Sequence, residues 1–450
     1  GNLSGRSDAQ PDARLDAQRS LTHLVAAVKD CVSKHSSIVG LGVSGRGAAS
    51  GRLAPCGSTL AADAALGSLR SLVKVLRNEV GHLRSQTVVC DAGQAHSPSY
   101  VGDDVWTEGG AVLRPLLLRA EAPSDPEASE VRGRPGLGNV VVTGGTGALG
   151  SLIALWFGAA STETASGYFL GRSGRLPAGR RLARDRADAA SSLSFVMADS
   201  SKVEDMLPCV SAASLDRAVI LHAGGMLDSK LIANVTLPSI RNIFSGKVVG
   251  SHILNGATST LPVDSYQLFS SLASFSGIRG QAVYAAANGA LDGVCDGLYL
   301  RGVPVAAVQW GNWGGQGMAA EDESFMKVMD QMGLGMIEPA DGLAHVQSVL
   351  AEASRGNSML RHATSMVNVF NWRTVARTLA EVPTLLAEMI EQTPRKKAAG
   401  RPGGLGPGRG AEARDSDVVG KLVEITASMG LDLRPNDSLM SGGLDSLSLQ

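Results

Sequence analysis

Two hydroxyls, an amide and an ammonium stand at a spacing suited to protonating a carbonyl. An apolar run ends in Ser270 and Ser271, Tyr284 follows Ser271 by 13 residues, and Asn288 lies 4 further on. At one strand end and early in the next helix, the Ser271 and Tyr284 hydroxyls both reach a carbonyl oxygen, with Asn288 one turn along the same helix face. The phenol delivers a proton as that oxygen gains negative charge. A free phenol has a pKa near 10 and needs a nearby cation to tune it. Four residues after the tyrosine stands Asn288, not a lysine, so the nearest ammonium is Lys247, in the helix expected after the fourth strand. Helices four and five share one sheet face in the expected topology, which brings Lys247 within reach of Tyr284.

A second set of residues suits a dinucleotide. The strand Asn139–Thr143 runs into Gly144-Gly145-Thr146-Gly147-Ala148-Leu149-Gly150 and then an apolar helix. Gly145, Gly147 and Gly150 fit G-x-G-x-x-G: the first two allow a tight turn and close approach of a pyrophosphate to backbone N–H groups, and the third lets helix and strand pack. The helix N-terminus favours the anion. The second strand ends in Gly171-Arg172-Ser173-Gly174, with no carboxylate for a ribose 2′-OH. Arg172 and Ser173 suit a 2′-phosphate instead, which favours NADPH over NADH. After the third strand, Asp199 either sits near the adenine or caps the next helix. After the fourth, Ala223-Gly224-Gly225 lets the backbone approach a flat cofactor.

These residues need a scaffold that gathers strand ends. Short apolar runs at Asn139–Thr143, Gly167–Leu170, Ser192–Met197, Ala218–His222, Ser265–Ser270 and Pro304–Val308 alternate with helical patterns. That order predicts an α/β fold, a doubly wound Rossmann-type parallel sheet with helices on both faces and ligands at the carboxyl ends of the strands. Upstream, the spacing predicts a helix over 21–34, a strand over 37–43, an amphipathic helix over Ala61–Val80, and strands at Thr87–Cys90 and Ala111–Leu118. Pro-, Gly- and charge-rich breaks divide the chain into a tail (1–20), a segment at 21–120, a linker at 121–136, the αβ section at 137–375, a linker at 376–415 and a helical segment at 416–450.

Composition bounds the function. A chain of 450 residues holds two or three domains at about 150 residues each. Lys+Arg is 41 and Asp+Glu 42, for a net charge of -1, which argues against a broad nucleic-acid or anionic-membrane surface. The 55 glycines show no collagen period and point to linkers and to turns that approach ligands. The 5 cysteines form no C-x-x-C pair, so no metal site is expected, and free thiols suit a reducing intracellular compartment, cytoplasm or organelle. No apolar run is long enough to span a membrane. Gly1 shows neither an initiator Met nor a signal-peptide pattern, so the chain reads as a piece of something longer.

Taken together, Gly144–Gly150, Gly171–Gly174, His222–Asp228, Ser270-Ser271, Tyr284–Asn288 and Trp310-Gly311-Asn312-Trp313 make residues 137–375 resemble the catalytic half of a polyketide synthase ketoreductase domain, of the short-chain dehydrogenase/reductase superfamily. The resemblance implies catalytic roles for Lys247, Ser271, Tyr284 and Asn288. It implies an NADPH site formed by Thr143, Gly144, Gly145, Thr146, Gly147, Leu149, Gly150, Arg172, Ser173, Asp199, Ala223, Gly224 and Gly225. Residues 21–120 resemble the companion structural subdomain, a degenerate Rossmann-like half. Met318–Leu334 is expected as a lid helix whose Met326, Met329 and Met332 either line an acyl channel or pack. Two stereochemical markers of the family are unmatched: Leu227-Asp228-Ser229 stands for Leu-Asp-Asp, and Ser276 occupies the marker tryptophan's position. At the far end, Gly442-Gly443-Leu444-Asp445-Ser446-Leu447 resembles the attachment motif of an acyl carrier protein, with 4′-phosphopantetheine on Ser446 and only part of the helical carrier present. The implied activity is NADPH-dependent reduction of a carrier-bound β-ketoacyl thioester. The implied partners are the carrier, other synthase domains and a phosphopantetheinyl transferase. A fatty-acid synthase reductase, a silent NADP-binding scaffold that docks a carrier, and a stand-alone reductase of free ketones are the alternatives.

Overall fold

Val/Ile/Leu runs flanked on both sides by helical segments bury both faces only as strands of a parallel sheet. In the computed structural model of the chain, the described residues are 60–79, 88–90, 105–108, 111–113, 139–160, 165–175, 192–213, 218–258, 263–314, 323–354, 364–378, 386 and 390. In chain order the elements begin with α1 (Leu60–Glu79), β1 (Val88–Cys90), β2 (Val105–Glu108) and β3 (Ala111–Leu113). The αβ section follows with β4 (Asn139–Thr143), α2 (Ala148–Ala160), β5 (Ser166–Gly171), β6 (Ser192–Met197), α3 (Val203–Ala213) and β7 (Ala218–His222). Next come α4 (Leu237–Phe244), a π-helical turn (Ser245–Val249), α5 (Gly250–Thr258), β8 (Val263–Ser271), α6 (Leu272–Ser276) and α7 (Ala282–Tyr299). The last are β9 (Val305–Trp310), β10 (Asn312–Trp313), α8 (Glu323–Gln331), β11 (Met336–Ile337), α9 (Pro339–Ser354), β12 (Thr364–Val367) and α10 (Trp372–Thr378).

Seven strands form one sheet in the order β12-β9-β8-β7-β4-β5-β6, and every pair is parallel. This is the expected doubly wound Rossmann-like sheet. Strand order reverses between β4 and β7, so their carboxyl ends open the crevice where such sheets take ligands. Alternate side chains go to opposite faces. Val141, Leu170, Ile220 and Leu268 pack with Met206 of α3, Phe244 of α4, Leu254 of α5 and Leu291 of α7. Val140, Val142, Phe169 and Val308 pack on the other face with Ile153 and Phe157 of α2 and Val346 of α9.

The helix expected over Ala61–Val80 is α1, which buries Leu72 and Leu76 and lies along α7. Small residues let the two backbones meet: a Cβ on Gly67 would strike the Gly289 carbonyl, and one on Gly289 would strike Ser71 Oγ. Of the strand expected over Ala111–Leu118, Ala111–Leu113 lies within the described residues. Three expectations need adjustment. In the upstream sheet β1 and β2 are parallel, but β2 and β3 pair antiparallel, a departure from a Rossmann-like half. The expected lid helix ends at Gln331, before Leu334, because Gly333 takes a left-handed φ of 77°. There Leu334 N bonds Met329 O and Gly333 N bonds Asp330 O, the pair of bonds that closes a Schellman cap. Finally, α10 runs on to Thr378, across the expected boundary at 375. The chain divides into two compact units, 1–393 and 394–450. The elements expected over 21–34, 37–43 and 416–450, with Ser446, lie outside the described residues.

Candidate active site

A cavity of about 290 Å³ opens at the carboxyl ends of the strands. Gly144, Gly147, Leu149 and Gly150 line one part of it, with Ala223 and Gly225 beside them, and Lys247, Ser271 and Tyr284 line another. Two sets of residues far apart in sequence thus share one cavity.

The glycine turn is held by its own backbone. Gly145 N donates to Leu170 O at 2.8 Å and Gly147 N to Gly144 O at 2.8 Å. Gly144 has φ 69°, and a Cβ there would lie 2.8 Å from Gly224 Cα. A Cβ on Gly150 would strike the Gly144 carbonyl. The turn therefore excludes side chains where the backbone folds under the start of α2, and this cradle fits an anionic pyrophosphate at a helix N-terminus. Thr143, Gly145 and Gly224 build the turn from behind and do not line the cavity. Thr143 is fully buried, and its hydroxyl is taken by His222 Nδ1 at 2.7 Å and by Gly224 N at 3.3 Å. Thr143 thus stands behind the turn rather than at the cavity surface. Thr146 leaves no room for a side chain on Gly171.

Arg172 and Ser173 are exposed at the end of β5. The Arg172 guanidinium donates to Met226 Sδ at 3.0 Å, a weak acceptor, and Ser173 Oγ donates to Arg175 O at 3.0 Å. Asp199 closes a turn two residues before the next helix begins at Val203: its Oδ1 accepts from Ser201 N at 3.0 Å and from Ser201 Oγ at 2.7 Å. Burial works against this carboxylate, but the Ser201 bonds and the charges of Lys202 and Arg172 hold its pKa below the ordinary range.

Lys247 sits in the π-helical turn between α4 and α5, a local widening common at functional sites. It is buried, its Nζ donates to Phe269 O at 2.9 Å, and it lies 5.7 Å from the Tyr284 ring centroid. Burial lowers its pKa from 10.5 to about 8, while the negative charge of Asp292 opposes that shift. Gly225 makes room for it: a Cβ there would lie 2.7 Å from Lys247 Cε. Ser271 caps α6, its Oγ accepting from Ala273 N at 3.2 Å, which leaves the hydroxyl proton to donate. Burial raises the Tyr284 pKa, and hydrogen bonds from Ser271 and Asn288 pull it back. Asn288 is fully buried and does not line the cavity; its Nδ2 donates to Tyr284 O at 2.8 Å.

Three further residues support the site in roles that the motifs do not give. His222 bridges Thr143 Oγ1 and the Lys247 carbonyl, each at 2.7 Å. A carbonyl only accepts, so Nε2 carries the proton and Nδ1 accepts from Thr143. Burial, with the Lys247 charge, lowers the His222 pKa to about 4 against the pull of the Lys247 carbonyl, so the ring is neutral. Asp292, one turn beyond Asn288, accepts from Ser274 Oγ at 2.7 Å and Gln309 Nε2 at 2.9 Å. The spacing Tyr284-x-x-x-Asn288-x-x-x-Asp292 is a signal for it in the sequence. Ser270 is buried and donates to Asn288 O at 3.2 Å. Among the described residues no group of three or more acidic, His or Cys side chains is placed to hold a metal. None of their helices is long and apolar enough to cross a membrane.

Residues 138–315 match the family model described as KR domain. Polyketide synthase GfsB of Streptomyces halstedii is 35% identical over 189 residues, covering 41% of this chain and 3% of that relative. Erythronolide synthase EryA2 of Saccharopolyspora erythraea is 28% identical over 319 residues, covering 70% of this chain and 8% of the relative. The chain thus spans a small part of such relatives. Among solved structures, A-type ketoreductases from a modular polyketide synthase align with a TM-score of 0.63 at 22% identity, over 74% of this chain and 70% of that one. Residues 138–315 match the KR domain, and the sheet that carries them has the fold of polyketide synthase ketoreductases.

Proposed function

We propose that the chain reduces the β-keto group of a carrier-bound acyl thioester to a β-hydroxyl with NADPH, in polyketide biosynthesis. The convergence of Lys247, Ser271 and Tyr284 on the cavity that the glycine turn also lines carries this reading. The KR match and the polyketide synthase relatives support it. The turn residues Gly144, Gly147 and Gly150 would hold the pyrophosphate, and Arg172 with Ser173 the 2′-phosphate. When bound, the cofactor supplies the hydride.

This chain's residues do the rest. Ser271 donates a hydrogen bond that orients the β-carbonyl oxygen. Burial keeps the Tyr284 phenol protonated at neutral pH, so a proton is ready for that oxygen as its charge grows. The phenolate left behind is stabilised by its bonds from Ser271 and Asn288 and by the Lys247 ammonium beside the ring. Asn288 fixes the first turn of α7 by bonding the Tyr284 carbonyl. The acyl group would ride on 4′-phosphopantetheine attached to Ser446 by a phosphopantetheinyl transferase.

NADPH oxidation with a β-ketoacyl thioester tests the proposal. Removing the phenol in Tyr284→Phe is expected to lower the rate by about 10²–10⁴-fold. An equal rate in the variant would remove Tyr284 as the acid. An intact wild type that binds NADPH but reduces nothing would favour a silent scaffold.

A further inference from the structure

We propose that Glu79, the last residue of α1, is a positioning residue that clamps together the two loops bordering the cavity and thereby seats the acyl substrate. The inference deepens the proposed ketoreduction and rests on it. It comes from a segment outside the KR match, which begins at residue 138.

A carboxylate at a helix C-terminus faces the negative end of the helix dipole, so Glu79 stands where an acid is disfavoured unless it finds donors. It finds two, both backbone amides from distant parts of the chain. Glu79 Oε2 accepts from Ile232 N at 2.7 Å, and Oε1 accepts from Gly280 N at 2.9 Å. The two segments also touch each other: Lys230 N donates to Gly280 O at 2.7 Å, and Lys230 pairs in parallel with Gln281. One carboxylate thus spans both sides of a short backbone seam.

Each side of that seam leads to the cavity. The first segment follows β7 and contributes Leu227 to the lining. Its Lys230 is anchored by Asp228 at 2.9 Å and by Ser239 Oγ at 2.9 Å. The second segment links α6 to α7, contributes Ile278 and Gln281, and enters the helix that carries Tyr284. Neighbouring contacts press this second loop onto α1. Asn78 Nδ2 donates to Ser276 O at 3.0 Å and to Gly277 O. Gly277 has φ 70°, and a Cβ there would lie 2.6 Å from Lys74 Cβ. The separation of Leu227 from Ile278 and Gln281 is therefore set from outside the sheet, by the end of α1. Hydrogen bonds to a charged acceptor are about twice as strong as neutral ones, so a neutral glutamine in place of Glu79 would loosen the seam without removing a side chain from the cavity.

The test compares the full chain with Glu79→Gln and Glu79→Ala. A glutamine keeps the size but offers one acceptor oxygen for two amides; an alanine offers none. KM and kcat are read with a β-ketoacyl thioester of N-acetylcysteamine, NADPH affinity is read by fluorescence, and backbone hydrogen exchange is read at Ile232 and Gly280. The expected result for Glu79→Gln is a KM raised about tenfold, with kcat and NADPH affinity changed far less. Exchange at both amides should quicken, and Glu79→Ala should go further in KM and exchange. Faster exchange with an unchanged KM would reduce Glu79 to a structural tie, and unchanged exchange would overturn the clamp itself. A wild type without β-keto reduction overturns the functional reading and the substrate seat with it; exchange would still open in the variants, which separates that failure from failure of the clamp. Should Glu79→Ala fail to fold, Glu79→Gln carries the comparison.

Discussion

The two ends of the cavity are built on opposite principles. At the glycine turn the chain offers backbone: Gly144, Gly147 and Gly150 line the space, and an added Cβ at Gly144 or Gly150 would collide with neighbouring backbone. At the Tyr284 end it offers side chains, and it sets a second polar layer of Asn288, Ser274, Asp292 and Gln309 behind them. A backbone cradle suits a ligand whose charge is fixed. A side-chain wall suits a reaction in which charge appears and must be met by tuned groups. Each end should therefore fail in its own way.

The sharpest break in that comparison is Gly150→Ala. The added methyl strikes Gly144 O and lies 2.5 Å from Gly145 Cα, both backbone atoms, so the turn itself must open. Overpacking of this kind costs about 1–3 kcal/mol, and most of it should appear as lost NADPH affinity, about 10–100-fold by titration. Tyr284→Phe should leave that affinity nearly unchanged while removing the rate. If the tyrosine variant lost cofactor affinity as strongly, the two ends would not be separable.

The second test acts on the side-chain end through pH. In the proposed reaction Lys247 acts as the ammonium, and burial brings its pKa down to about 8 against the opposing charge of Asp292. Above that pH it loses its proton, so kcat at saturating substrate should fall about tenfold per pH unit on the alkaline side. The groups facing it are Asp292 and Tyr284, with neutral His222 behind its carbonyl. His222, with a pKa of about 4, should contribute no break near neutrality. Asp292→Asn removes the opposing charge and should move the alkaline limb to lower pH. A limb unmoved by Asp292→Asn would detach the lysine from the buried layer.

The same contrast explains what the sequence disclosed. The backbone end is written locally, because a turn that excludes Cβ atoms must use glycine, and Gly144–Gly150 between a strand and a helix reads directly. The parallel sheet followed from the alternation of apolar runs with helices. Tyr284 and Asn288 were legible because one helical turn separates them. His222 was noticed only as part of the stretch His222–Asp228, and its bridging role was not legible, since its bonds to Thr143 and Lys247 span 79 and 25 residues and leave no local pattern. Glu79 spans still more. Asp199 admitted two readings, and the turn it forms with Ser201 ahead of α3 is compatible with either. Glycine itself has a further use that composition does not reveal: Gly289 and Gly293 on α7 lie against Gly67 and Asp63 of α1. Each glycine inside a helix costs about 1 kcal/mol relative to alanine, a cost offset here by close helix packing.

Arg172 tests the smallest difference, because it is the side-chain charge expected at an otherwise backbone-built end. A charge-assisted pair with a 2′-phosphate contributes about 1.5–3 kcal/mol when sheltered, but Arg172 is exposed, so solvent screens it. The Asp199 carboxylate, whose own ionisation Arg172 favours, competes for the same charge. Arg172→Ala is therefore expected to weaken NADPH by about tenfold at low salt and less at high salt. NADH affinity should stay the same, since the backbone cradle at Gly144–Gly150 would serve both cofactors equally. Parallel titrations of the two nucleotides in wild type and variant read this as a change in their ratio. If both affinities fell together, Arg172 would be supporting the turn and not reading the phosphate. If neither moved, recognition of the 2′-phosphate would lie away from the end of β5, and the cofactor end would be backbone throughout.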